Sequence, residues 1–353
     1  MELKYKPDFE EARRHWAAYW EGEIIDRPVV CVTANKEGAE KISWPAYLGV
    51  FDEDRAKVFE TIDCYLSYRH HAGDSMPAYE PCMGPDQFAA FLGSDLAYPN
   101  VHSTSWAAPC IDDWDNFEIK LDPENAYWKK MQTYMKELAE FADGKFLVST
   151  LDTHSNIDAL SAMRGTERLC MDLIDCPEVI DRAMKQVRSL YAPVYDRLYE
   201  LGGMKKRGTT GWLRAYCEKR FAVIQCDFIY MVGREHSKRF IIPALEEEAS
   251  FLDHCIYHYD GVGALRHMDD ILGIKEIDVI QWEPGAGQQP TWGWIELLQK
   301  IQKAGKGLWL YGWPPEAVKT YYKELKPEGL IFYLWADSPK NAEDMVKWFK
   351  DNT

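Results

Sequence analysis

A chain of 353 residues, 46% hydrophobic and 14% aromatic, has material for one large core and falls within the range of a single α/β barrel. A net charge of −16 and a pI near 5.1 would repel a phosphate backbone, which excludes nucleic acid as a general partner; Lys205-Lys206-Arg207 reads as a solvated loop. No stretch is apolar enough to span a bilayer, the start Met1-Glu-Leu-Lys-Tyr-Lys-Pro lacks the apolar run of a signal peptide, and the nine scattered cysteines include no Cys-x-x-Cys pair. A cytoplasmic protein without disulfide framework, zinc ribbon or membrane contact is the expectation.

Phe9, Ala12, Trp16, Ala17 and Trp20 recur at helical spacing, so residues 8–21 form an amphipathic helix, part of an N-terminal helical extension over 1–25. A buried strand follows at 28–33 and a helical stretch at 53–71 that ends on His70-His71, where histidine complements the helix dipole. The Gly/Pro-rich run 73–122, with a strand near 76–80, reads mainly as long loops around a site. From residue 123 strands and helices alternate. Strands are predicted at 145–151, 207–212, 221–226, 255–260, 277–282, 307–311 and 329–335. The helices include a long one with Ile180, Met184, Val187, Tyr191, Val194 and Leu198 on one face, and others at 237–254, 293–304, 315–325 and 339–351. Repeated strand–helix units imply a parallel sheet, and eight to nine strands favour a closed (β/α)8 TIM barrel over 1–353; no glycine-rich loop supports a dinucleotide fold.

Catalytic groups in such folds sit at the carboxyl ends of strands. His258-Tyr-Asp260-Gly261 ends one strand and Glu283-Pro-Gly285 the next; His258 and Asp260, two apart, share a face. With Glu283 they make a candidate site for Zn²⁺ or another divalent metal with open positions. Asp152 and His154 repeat the Asp-x-His pattern after strand 145–151 as candidate acid/base groups, while Asn156 and Asp158 suit a helix cap as well. Trp212, Trp282, Trp313 and Trp335 fall at or past strand ends as candidate aromatic walls of a substrate pocket. Arg164 and Arg214 are the cationic candidates near strand ends.

The run Leu173-Ile-Asp175-Cys-Pro177-Glu178, the segment Asp227 to Pro243 ending Arg239-Phe-Ile-Ile-Pro243, and His258-Tyr-Asp260-Gly261 resemble the uroporphyrinogen decarboxylase superfamily over roughly 120–350. That resemblance implies a (β/α)8 barrel with its pocket at the carboxyl face. True decarboxylases follow an Arg-Pro-Pro strand with an arginine-rich segment that grips carboxylates; here Arg27-Pro28-Val29-Val30 continues Cys31-Val-Thr-Ala-Asn35 without arginine, which argues against a porphyrinogen substrate. Methyl-transferring members carry His-x-Cys at this strand end, and here Asp260 replaces the cysteine.

The resemblance therefore implies an anaerobic methyltransferase, an O-demethylase component that moves a methyl group from a small methylated substrate, such as an aromatic methyl ether, to the corrinoid (cobalamin) of a partner protein. A homodimer is compatible with this reading. The alternatives are a decarboxylase or lyase acting on a small carboxylic acid, and a non-catalytic barrel that binds a small ligand.

Overall fold

The computed structural model describes residues 2–38, 42–47, 49–98, 100 and 103–353. It is a mixed α/β structure built on a large parallel sheet, with strands β1 (Val29–Asn35), β2 (Arg69–Gly73), β3 (Ala78–Tyr79), β4 (Asp95–Ala97), β5 (Trp106–Ala108), β6 (Leu147–Val148), β7 (Thr209–Thr210), β8 (Tyr216–Cys217), β9 (Phe221–Gln225), β10 (His254–Asp260), β11 (Val279–Glu283), β12 (Gly307–Tyr311) and β13 (Leu330–Trp335). The central sheet runs β2-β1-β13-β12-β11-β10-β9, parallel throughout except for antiparallel β2 at its edge. β3 and β6 form a separate parallel pair, tied onward by Thr150 N donating to Thr210 O at 2.7 Å. Among the described residues the ladders do not join into a continuous ring.

Strand periodicity divides the apolar residues into two clusters. Val30, Val32, Ile224, Tyr257, Ile280, Leu310 and Phe332 pack outward against the helices. Val29, Cys31, Val223, Ile256, Val279, Trp309 and Ile331 pack inward, together with Ala78 of β3 and Leu147 of β6. Alternate side chains on a strand point to opposite faces, so a sheet buried on both faces must carry two apolar layers.

The helix Phe9–Trp20 joins the inner layer through Phe9, Ala12, Trp16 and Tyr19. It covers the amino ends of the strands: Trp20 stacks on His254, the first residue of β10, with ring centroids 4.6 Å apart. The carboxyl ends are left open for a site. The helix is anchored by Asp74, which is 0% exposed; it accepts from both Arg27 terminal nitrogens and from Val30 N at 2.8 Å, and Trp16 Nε1 donates to its carbonyl at 2.9 Å. Burial alone would raise the Asp74 pKa, but hydrogen bonding from His15 and the Arg27 charge outweigh it and hold the group below the usual carboxylate range.

Several expected elements shift. The helix at 53–71 stops at Ser67, and His70-His71 lie on β2, paired with Ala34 and Thr33. The expected 237–254 helix opens with a π turn over Ser237–Ile241 before the α-helix Ile242–Phe251; Pro243, which has no N–H to donate, sits at its first turn. Within 73–122, where 99, 101 and 102 lie outside the described residues, loops alternate with β3, the short helix Gln87–Phe91 and the β4–β5 pair. No helix among the described residues is long and apolar enough to cross a membrane.

Removing one member of a buried ion pair strands the other charge, so Asp74→Ala is expected to cost about 3 kcal/mol in urea unfolding. A loss below about 1 kcal/mol would show that the Arg27 charge finds other partners.

Candidate active site at the carboxyl ends of the strands

Three neighbouring strands end in one pattern, an inward apolar residue followed at spacings of two by a polar residue and an acid: Val223-x-Gln225-x-Asp227, Ile256-x-His258-x-Asp260 and Val279-x-Gln281-x-Glu283. The register aligns Gln225, His258 and Gln281 in one row, and Asp260 beside Glu283 in the next. The inner layer thus turns from apolar to ionisable along the strands, with the ionisable end facing the open side.

Within these rows Asp227, His258 and Asp260 each place one ligand atom within 4.8 Å of the others. Gln281 Oε1 can only accept, so His258 Nδ1 carries the proton of their hydrogen bond, and the Nε2 lone pair is left to bind a metal. One imidazole and two carboxylates fit a divalent cation with open positions and lean toward harder ions than a thiolate site would. Glu283, expected as the third ligand, does not belong to this trio: its side chain bends back to accept from Gly285 N at 3.4 Å, and Asp227 from the turn after β9 takes the place instead.

Asp227 also joins the trio to a second cluster. Its Oδ2 lies 3.8 Å from His154 Nδ1, and His154 Nε2 lies 3.3 Å from Asp152 Oδ2. The expected Asp152/His154 pair therefore forms, though not by strand periodicity: β6 ends at Val148, and His154 sits at φ 36, a left-handed conformation that turns its ring back toward Asp152. Burial works against the charge on His154, but Asp152, Asp158 and Asp227 overcome it and raise its pKa to about 10. His154 is thus an imidazolium at neutral pH.

Asp158 does act as a cap, although not for its own helix. Its carboxylate accepts from the backbone N of Asp227 at 2.9 Å and of Phe228 at 2.8 Å, which fixes the turn that presents Asp227. Burial and the nearby Asp227 charge push its pKa up, against the pull of His154 and these two N–H groups. Glu80, at the end of β3, accepts from Asp152 N at 3.3 Å and is raised to about 8 by burial and by Asp152. Glu248 accepts from Ser155 Oγ at 2.7 Å and from Asn156 Nδ2 at 3.3 Å, holding the loop that carries His154; burial raises it to about 8.

Of the four tryptophans, two face the site. Trp212 meets His258 edge-on with ring centroids 5.0 Å apart, and Trp335, 47% exposed, packs against Tyr311 and Tyr333 at the mouth. Trp282 does not: it has the outward parity of Ile280, is 2% exposed and packs on Tyr259 and Trp294. Trp313, also 2% exposed, packs between Trp292, Tyr321 and Phe332 in the outer layer. Arg164 is no clamp either, since Asp172 and the carbonyls of Ile111 and Asp112 occupy its guanidinium.

No protein-family model matches the chain, and no curated protein sequence does. Its structure is similar to that of a methyltransferase from Methanosarcina mazei, with a TM-score of 0.63 over 97% of this chain and 98% of that one, at 11% identity. A likeness at that identity shows a shared fold.

The Glu248 pKa gives a stability test. Its folded value lies above the ordinary 4.5, so the folded state keeps a proton that the unfolded chain loses, and stability falls as pH rises from about 4.5 to 8. Glu248→Gln removes that dependence. Relative to the wild type, the variant should gain roughly 3 kcal/mol between pH 5 and pH 8 in denaturant unfolding. An unchanged difference across that range would mean that Glu248 is ionised in the fold.

Proposed function

We propose that the chain is a methyltransferase that takes a methyl group from a small methylated oxygen compound and delivers it to the cobalt of a separate corrinoid protein. The observation that carries this reading is the Asp227/His258/Asp260 trio at the open end of the sheet, beside the Asp152/His154 pair. The shared fold with a methyltransferase and the residues that resemble the uroporphyrinogen decarboxylase superfamily support it. An inner apolar layer that draws on β3 and β6 as well as the main sheet favours closure into a (β/α)8 barrel.

In the transfer, the substrate O–CH3 bond breaks and a carbon–cobalt bond forms. Cobalt(I) supplies the electron pair as nucleophile, and the oxygen leaves with the bonding pair and takes up a proton. An unprotonated alkoxide or phenolate leaves poorly. His154, whose charged form the neighbouring Asp152 and Asp158 favour, would supply that proton. Asp152 orients the ring from one side and Asp227 from the other. Asp227, His258 and Asp260 would hold the divalent cation, which when bound polarises the leaving oxygen.

Arg214, which lines a cavity near the carboxyl ends of β1 and β13, gives the lyase alternative its cationic clamp. One experiment separates the readings. Metal-supplemented protein is mixed anaerobically with a reduced corrinoid protein and a panel of methoxylated aromatics and methylamines, and methylcobalt is followed by its visible absorbance. Wild type should methylate cobalt from a methoxylated substrate, and Asp227→Ala or His258→Ala should slow it about 100-fold. Carbon dioxide release from a small acid with no methylcobalt would place the protein with the lyases.

A further inference from the structure

Beside the acid and imidazole groups lies a cavity of about 280 Å³. Its walls are aromatic: Trp44, Tyr65, Tyr333 and Trp335, with Trp44 and Tyr65 edge-to-face at 4.5 Å between centroids. The volume sits near the low end for ligand pockets, roughly 300 Å³, which suits a single substituted ring and not a tetrapyrrole.

Two arginines line this space, and one of them, Arg69, donates from Nη2 to the Tyr65 hydroxyl. Arg214 donates from Nη1 to Ser149 Oγ at 3.3 Å and lies 5.9 Å from the Trp44 ring centre, but no carboxylate comes within ion-pair distance among the described residues. A guanidinium has five N–H donors in a planar fork that matches a carboxylate. Arg214 is also held at φ 60, a left-handed conformation that a side chain adopts only when its surroundings impose it. His71 is buried on inward-facing β2; its Nδ1 meets Ser75 Oγ at 3.1 Å while its Nε2 has no partner. Burial, with Lys6 close by, keeps the ring neutral.

The cavity and the acid–imidazole cluster are linked by one tight turn. Arg214 N donates to Gly211 O at 2.8 Å, and that turn sends Trp212 to the His258 ring and Arg214 into the cavity. One turn therefore ties the Arg214 cavity to the His258 ring through Trp212.

We propose that this cavity binds a single-ring aromatic carboxylate, with the carboxylate on Arg214 and the ring between Trp44 and the Tyr333/Trp335 wall. Resting on the methyl-transfer reading, the substrate is then a methoxylated aromatic acid, not a neutral ether or a methylamine.

The test is binding without turnover. The protein is titrated by calorimetry with 3-methoxybenzoate and with its neutral counterpart methoxybenzene, with circular dichroism confirming that each variant is folded. Wild type should bind the acid more tightly than the neutral ether. Arg214→Gln should weaken the acid about 10- to 100-fold and leave the ether unchanged, as expected for loss of a charge-assisted hydrogen bond. Trp44→Ala should weaken both. Equal affinity for the two ligands in wild type and in Arg214→Gln, or no binding of the acid, would overturn the proposal. Arg214-dependent acid binding without methylcobalt formation would leave this site standing and remove the methyl-transfer reading. Methylcobalt formed as fast from methoxybenzene as from the acid, and unaffected by Arg214→Gln, would do the reverse.

Discussion

The buried carboxylate of Asp158 is the constraint on which the site depends. It comes from the helix after β6, yet it accepts the first two N–H groups of the turn after β9, so it fixes two elements that are 69 residues apart in sequence. A charge there is costly to bury, and it is tolerated because backbone donors and the His154 imidazolium 3.9 Å away share the load. The result is that Asp227 stands between His154 and the His258/Asp260 pair. Without that turn the two clusters would be separate features of strands that do not pair.

The rest of the fold makes this placement rigid. Helix Phe9–Trp20 covers the amino ends of the strands and fills the inner layer there, so the polar half of each inward row is pushed to the opposite end. Side chains that follow an apolar position by two, four residues along the same face, leave the dry layer at the strand ends. Position along the strand, more than residue type, decides which histidines and acids are candidates for chemistry. His254, at the start of β10, stacks under Trp20, while His258, two pleat repeats further on, faces the site.

Much of this was legible in the sequence. The strands from 221 onward fall close to their predicted spans, because they are apolar runs bounded by turns; His258 and Asp260 share a face because the period of a strand is two. The same period, applied to Trp282, places it with Ile280 on the outward face, and the expectation that it lines a pocket fails for that reason. Asp227 was readable too, as the acid in Val223-x-Gln225-x-Asp227, but only once the three strand ends are set side by side. Other features were hidden. His154 reaches Asp152 through a left-handed backbone turn that no spacing encodes. Glu80, Asp158 and Glu248 act across long sequence separations, and Trp313 and Arg164 have partners that only the packed structure brings near.

The proposed metal-binding centre of Asp227, His258 and Asp260 and the proposed aromatic acid pocket can be tested in one crystal. Crystals grown with Zn²⁺ and 3-methoxybenzoate, with diffraction data collected on both sides of the zinc absorption edge, test both most directly. One anomalous peak coordinated by those three side chains is expected, with the carboxylate of the ligand on Arg214. An anomalous peak elsewhere, or a ligand whose carboxylate avoids Arg214 while the trio holds no metal, would contradict it.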